Sequence, residues 1–559
     1  MVFSLTRPPT SGFGAFCVHA AIACGLSFIS GFAVGNEAEV STNDARVLPR
    51  VDVIGSGSSA AIQSSGSATV IDGRTLEESR VFNVNEALRK VPGVHVREEE
   101  GVGLRPNIGI RGLNPTRSTK TLLLEDGLPL SFAPYGDNAS YYHPPIDRYE
   151  SIEVSKGSQV IRFGPQTAGG VINYIPPEPQ KEFGGVVGLA AGTRGYLNGH
   201  LMVTGSGAIF DAYHKESDGA RDNMHSRLDD LNFKWAGQLN EDNKLILRAT
   251  HFREYSQLTY SGLTQAEYVN LGPRYNPFKN DFFDANRTGL SATHELKLNA
   301  DAKVLTSIYG AYFDRDWWRQ ASTTTDCQLI TRAAGNALSA SDIKDCQVDG
   351  RLRAYTTLGL DSRVTQSHSL LGLANQLEYG VKVHAEIQDR KQLRYQNYTK
   401  YLNGDTTGVT HIQEDQQRKT QAISAFIMNR FEVTNQLAVT PIIRIENIHH
   451  QRTLRQTSIA TTNEVSFTEL IPGLSATFAL DKNSIIYGGI HKGFSPPRVE
   501  DALRSTSNSS TTASVQSVDL NAERSVNAEI GLRSSLSQNT SVDVTVFRND
   551  FSNLVQVGS

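Results

Sequence analysis

Long apolar runs are almost absent from this 559-residue chain, which excludes a bundle of membrane-spanning helices, since each span needs about 20 consecutive apolar residues. An excess of one charge sign is missing too. The 54 Lys and Arg stand against 58 Asp and Glu, a net charge of −4, so there is no basic footprint for nucleic acid. Cysteine is sparse, four in all, which excludes a disulfide-dense scaffold. Catalytic signatures are lacking as well: there is no GxSxG, no HExxH and no P-loop lysine. The Gly-rich stretches GSGSSA and GVGLRPNIG do not sit between a strand and a helix of a nucleotide-binding unit. No enzyme class is suggested.

What is there begins with one apolar stretch, Phe13 to Gly35, preceded by Arg7 and ending in the small residues Ala33-Val34-Gly35. That is the layout of a secretory signal, residues 1–35, with the mature chain starting near Asn36; an uncleaved helical anchor is the alternative. A lipoprotein acceptor at Cys24 is disfavoured by the apolar residues beyond it. Cleavage removes Cys17 and Cys24 and leaves Cys327 and Cys346 in the polar stretch DCQLITRAAGNALSASDIKDC. Two cysteines this close in an exported loop are expected to form a disulfide. Metal ligation, the alternative, has no His or further Cys in the segment to support it.

Residues 36–68 read as a polar tether with a Gly/Ser-rich linker, interrupted by the β-branched hexamer RVDVIG at Arg50 to Gly55. Asn83 to Val91, NVNEALRKV, has helical apolar spacing with Asn at its start and Pro92-Gly93 at its end. A small α+β domain is read over residues 69–178. After Pro176-Pro177-Glu178-Pro179 the character changes to segments of period-two alternation. Leu231, Phe233, Trp235 and Leu239 alternate with Asn232, Lys234 and Gln238; Leu377, Tyr379, Val381, Val383, Ala385 and Ile387 alternate with Glu378, Lys382, His384, Glu386 and Gln388; Val542, Val544 and Val546 repeat the theme.

A soluble sandwich produces such alternation. The export signal, the persistence of the pattern and the asymmetry of connections favour a transmembrane antiparallel β-barrel over residues 179–559. NEDN at Asn240 to Asn243 and the stretch Thr365 to Ser369 read as tight turns, against long loops at Ser256 to Thr288, Ala321 to Arg351 and Leu393 to Thr420. At roughly 25 residues per strand and connection, about 15 strands fit, and a barrel of that size has a lumen wide enough to need a plug. On this reading His384 and Glu386 belong to a polar lumenal face rather than a metal site, and His449 and His450 point to opposite faces of a strand.

Four motifs in order, NVNEALRKVPGVHV, GIRGLNP, LLLEDGLPL and SIEVSKGSQVIRFGPQTAGGVINYIP, followed in the barrel by HKGFSPPR and ERSVNAEIGLR, resemble TonB-dependent outer-membrane receptors. The resemblance implies a mainly β fold, an N-terminal plug inside a barrel of twenty-two strands, a bacterial outer-membrane location and a monomer. It implies a transporter that takes iron as a chelate cargo rather than as a cofactor. It places the TonB box at Arg50, Val51, Asp52, Val53, Ile54 and Gly55, an extended segment suited to adding as a strand to the TonB protein's sheet; a stray β-prone linker is the alternative. The short tether before the box leaves no room for a signalling domain. Family barrels end on an aromatic residue, whereas this chain ends LVQVGS, so a fragment or a prematurely ended chain, lacking C-terminal strands, is expected.

GIRGLNP, FAPYG at Phe132 to Gly136 and RFGPQTAGG at Arg162 to Gly170 bring the resemblance closest to ferric citrate receptors. An anionic chelate calls for guanidinium, amide and hydroxyl donors. The candidates are Arg105, Asn107, Arg117, Tyr135 and Asn138 in the plug and Arg315, Arg319 and Arg394 in the barrel; a solvated loop or an internal salt bridge is the alternative for each. Arg111 in the IRG position is implied to lock the plug to a barrel glutamate, with Glu529 the candidate, and Lys156 stands where the family often has a second locking Arg. The first check is simple: N-terminal sequencing of the exported protein is expected to read from near Asn36.

Overall fold

The computed structural model describes residues 65–553 apart from 100–102, 138, 260, 321–326, 408–410, 457–459, 507–512, 519, 521 and 538–539. The leader, the Arg50 to Gly55 hexamer and Asn138 therefore lie outside the described residues.

The plug is built on a mixed sheet of β1 (Ala68–Ile71), β4 (Thr121–Glu125), β5 (Leu128–Pro129), β6 (Ser151–Ser155) and β7 (Gly170–Ile175), in the order β1-β6-β7-β4-β5. β4 and β7 run parallel and the other neighbours antiparallel. A second pair, β2 (Val94–Arg97) and β3 (Asn107–Ile110), flanks it. Every residue of β4 and β7 is buried, as the continuous apolar run Leu122 to Leu124 requires. Helix α1 (Gly73–Ser79) starts at the Asp72 cap, and α2 (Val84–Leu88) at Asn83, whose side chain accepts from the Glu86 amide. α2 is shorter than its apolar spacing suggests: Lys90 and Val91 already bond back three residues, to Ala87 and Leu88.

Around the plug, fifteen antiparallel strands follow one another in chain order from Gly184–Ala191 to Thr540–Ser552. These two end strands are not paired with each other among the described residues. The strand Leu373–Tyr395 shows which face is which: Val383 is 49% exposed, while Lys382 and His384 are 4% and 1% exposed. Apolar outside and charged inside is the reverse of a soluble sandwich, and it settles the choice that alternation alone left open.

Connections alternate short and long around the sheet, but the boundaries move. Thr365 to Ser369 is strand, not turn; the reversal is at Leu371 and Gly372, with φ of 59° and 78°. Two positive φ values make the primed turn whose twist matches flanking strands. The polarity of Thr365 to Ser369 reflects a strand end beyond the apolar band. The long loops shrink for the same reason, because strands enter at Phe282, Val348 and Ile412. Two strands reach 23 residues, well past the 9–11 that cross lipid.

Plug and wall meet through buried charge. Arg148, fully buried, bridges Glu125 of β4 (3.1 Å) and Asp230 of the wall (3.2 Å), and Arg248 of the wall adds a second guanidinium to Glu125 (2.6 Å). Burial would raise the Glu125 pKa; Arg148 and Arg248 outweigh it and hold the carboxyl down to about 2. Arg148→Ala leaves two buried carboxylates short of a partner and is expected to destabilise plug docking by about 3–5 kcal/mol. Urea titration of the detergent-solubilised protein, read by protease cleavage within the plug, measures it.

Candidate functional site: plug apex and lumenal arginine belt

The FAPYG segment forms the plug apex and is bonded to the wall on all sides. Glu386 accepts the backbone N–H groups of Tyr135 (2.8 Å) and Gly136 (2.9 Å). The Tyr135 hydroxyl donates to Glu446 at 3.2 Å, and the Gly136 carbonyl accepts from Val499 at 3.0 Å. Phe132 packs between Phe313 and Tyr355, at ring distances of 5.1 and 4.2 Å. Gly136 has a steric reason here, since a Cβ would lie 2.5 Å from Thr420 Oγ1 and 2.8 Å from Glu386 Oε2.

The structure separates the residues singled out from sequence. Arg105 is buried in an ion pair with Glu254 and lies over Phe283 at 4.0 Å. Asn107 is wholly buried: its amide donates to the Arg97 carbonyl (3.1 Å) and its oxygen accepts from the Arg117 amide (2.7 Å). Tyr135 is sealed in the apex. These three shape the floor rather than present free donors to the lumen. Arg117 pairs with Glu99 and covers one face of Tyr141 at 4.4 Å, while Arg315 covers Tyr141 at 4.2 Å. Arg319 lies over Trp317 at 5.2 Å. Arg394, at the loop end of its strand, grips Asp349 at 2.7 and 3.0 Å and borders a cavity of about 290 Å³ with Tyr395, Asp405 and His411.

Lower in the lumen, Arg111 reaches the Glu529 carboxylate, which also accepts from the Ser67 amide at 3.3 Å. Arg111 itself has φ +55° and Gly112 φ +82°, a left-handed pair that an Arg adopts at some cost. Lys156 takes no carboxylate among the described residues; its ammonium donates to the Pro92 carbonyl at 2.7 Å, and burial, helped by Arg111, pushes it down to about 8. Cys327 and Cys346 are joined, Cα to Cα 5.7 Å. Arg332 ties their loop to the loop before Phe282 by a bidentate pair with Glu267 at 2.8 and 3.0 Å. His384 lies between the Tyr309 hydroxyl (2.8 Å) and Glu386 (3.0 Å), and His449 and His450 take opposite faces, bonded to Ser466 and Thr420.

Sequence reasoning missed the largest feature. Arg315, Arg353 and Arg390 are direct cross-strand neighbours on three consecutive strands, and Arg418 and Arg452 stand beside them on the next two, in contact through Gln416. All face the lumen near the loop ends. Their counter-charges are Glu414, Glu500 and Asp137: Arg390 meets all three at 3.2, 3.4 and 3.3 Å, Arg418 meets Glu500 at 2.9 Å, and Arg353 meets Glu414 at 3.3 Å. Among the described residues, five guanidiniums against three carboxylates leave a cationic surplus, and Arg498 with Asp501 (2.8 Å) adds one charge of each sign. Parity was the missed signal for Arg390, Arg418 and Arg452, which sit in step with the polar residues of their strands, whereas Arg315 shares its face with Phe313 and Trp317.

Comparison with known proteins decides the family. A TonB dependent receptor-like β-barrel profile matches residues 212–559, and a TonB-dependent receptor plug profile matches residues 60–171. The chain belongs to the TonB-dependent receptor family. A curated relative, the vitamin B12 transporter BtuB of Vibrio vulnificus (strain CMCP6), is 31% identical over 187 residues, covering 30% of this chain and 28% of its own. The ferrienterobactin receptor of Escherichia coli (strain K12) is 23% identical over 554 residues, covering 89% of this chain and 69% of its own. Among solved structures the fold matches the ferric citrate transporter FecA in the unliganded form with a TM-score of 0.74 at 20% identity, covering 90% of this chain and 73% of that one. The chain thus spans 28% and 69% of the two curated relatives' lengths.

In this receptor chain one carboxylate, that of Glu386, accepts two backbone amides of the apex. Hydrogen bonds to a charged group contribute about 1.5–3 kcal/mol, so Glu386→Gln is expected to speed hydrogen exchange at the Tyr135 and Gly136 amides by about tenfold or more, read by mass spectrometry.

Proposed function

We propose that this chain takes up an anionic ferric chelate, ferric citrate or a similar carboxylate siderophore, across the bacterial outer membrane, energised by TonB. The observation that carries the reading is the cationic surplus of the arginine belt directly above the plug apex. Arg presents a planar fork that matches carboxylates bidentately, and in a lumen of low dielectric that match is stronger than in water. Arg315 belongs to the belt itself, and Arg117, Arg319 and Arg394 border the same region. Arg105, Asn107 and Tyr135 support its floor, and Arg111 with Glu529 anchors the plug.

The plug interface suits a transporter. Its ion pairs and backbone hydrogen bonds, which water can take over one at a time, stand beside apolar contacts that Phe132, Tyr142 and Ile161 make with the wall. Traction by TonB on the Arg50 to Gly55 segment would draw on that property. A different siderophore carried by the same machine is the second reading, since loops change cargo without changing fold; a passive channel or an adhesin is the reading from another class.

Two measurements test this. Deletion of Arg50 to Gly55 is expected to abolish iron uptake while leaving chelate binding intact; uptake that survives the deletion rules out energised transport. Titration of the purified protein is expected to give micromolar or tighter binding of ferric citrate, weakened at least about tenfold by Arg390→Gln, the loss of roughly one charge-assisted pair. Tight binding of a ferric hydroxamate with none of ferric citrate would replace the cargo.

A further inference from the structure

The Tyr141 ring is clamped between two guanidiniums, Arg117 of the plug at 4.4 Å and Arg315 of the wall at 4.2 Å. The two cations differ in what else holds them. Arg117 is paired with Glu99 on the plug. Arg315 is 5% exposed, its Nε and Nη1 atoms are buried without a hydrogen-bond partner, and no carboxylate among the described residues lies within ion-pair distance of it. Only aromatic faces hold it, Tyr141 and, at 5.9 Å, Phe283. Its cross-strand neighbour is another cation, Arg353, which adds to the pull on any incoming anion.

We propose that Arg117, Tyr141 and Arg315 form an anion-released latch between the plug apex and the barrel wall. The inference rests on the anionic cargo proposed above. A carboxylate of the chelate that reaches Arg315 offers the charge-assisted bidentate bond that the guanidinium lacks, and that bond outcompetes a cation–π contact. Arg315 then leaves the ring. Arg117 stays with the plug through Glu99, so the Tyr141 side chain loses one of its ties to the wall and keeps its edge contact with Trp317, 6.3 Å between ring centroids. The backbone around it is held from the plug side, where the Ser140 amide donates to the Arg117 carbonyl at 2.8 Å. Tyr135 and Gly136, held by Glu386, stay docked. A loaded receptor is thereby one anchor looser than an empty one, at the point nearest the cargo. A chelate without carboxylates has no means of releasing the latch.

The test uses the full chain in detergent, hydrogen exchange of residues 139–142 as the readout of the latch, and calorimetric titration as the readout of binding. Gallium citrate replaces ferric citrate to avoid redox change, and a gallium trihydroxamate is the control. In the ligand-free protein, Arg315→Gln is expected to speed exchange at 139–142 about tenfold with Tyr135 and Gly136 unchanged. Tyr141→Leu, which breaks the stack from the plug side and leaves the wall intact, is expected to do the same. Gallium citrate is expected to reproduce the effect in the parent and to add nothing in Tyr141→Leu; the trihydroxamate is expected to leave 139–142 protected. Ligand-free exchange equal to the parent in both variants overturns the clamp itself. Citrate binding with no change at 139–142 overturns the release step and leaves the cargo reading standing. Absence of citrate binding overturns the cargo reading and the anion release with it, while the ligand-free variants still report on the clamp.

Discussion

Strands that turn apolar side chains toward lipid drive their charged ones inward, and each inward charge carries a desolvation cost that a counter-charge must offset. In this chain the plug supplies many of those counter-charges. Asp230 and Glu254 of the wall meet Arg148 and Arg105 of the plug, Glu378 meets Arg162 at 2.7 Å, Glu529 meets Arg111, and Glu386 meets two backbone amides of the apex. The barrel interior and the plug surface are therefore one electrostatic unit. Removing a single partner leaves a buried charge, which gives the interface a specificity that its shared apolar contacts alone would not supply.

Near the loop ends the compensation runs short. The plug contributes Asp137 to the arginine belt, the wall contributes Glu414, and the segment after the strand Ser484–Ser495 contributes Glu500. Five guanidiniums remain for three carboxylates, and Arg315 is left with aromatic faces in place of an anion. The place where charge is least balanced is the place a chelate would enter. The loops above are better braced: Arg332 and Glu267 join two of them, Phe278 packs against the Cys327–Cys346 bridge, and both features lie outside the lumenal belt.

Much of this was legible along the chain. The period-two pattern, the plug motifs and the span from Leu377 to Gln388 identify a plugged barrel, because side-chain alternation and turn chemistry are local properties. Arg111 could be matched with Glu529 through the family's motifs. Other readings failed where polarity stood for position. Thr365 to Ser369 looked like a turn because it is polar, yet strands that extend past the lipid are polar without turning. Arg105 and Tyr135 were ligand candidates with an internal salt bridge as the alternative, and in the plug both are buried against wall carboxylates, Glu254 and Glu446.

The sequence by itself determined the architecture: which residues alternate, and which side chains could carry charge into the lumen. Register and closure of the plug against the wall decided the rest. Arg315, Arg353 and Arg390 come from positions far apart in the chain and become neighbours only because three strands pair with no slip between them. The Tyr141 clamp likewise joins residues from the plug and the barrel. Charge compensation is a property of three-dimensional neighbours, so an arginine with no carboxylate among the described residues within ion-pair distance is recognised only from the fold.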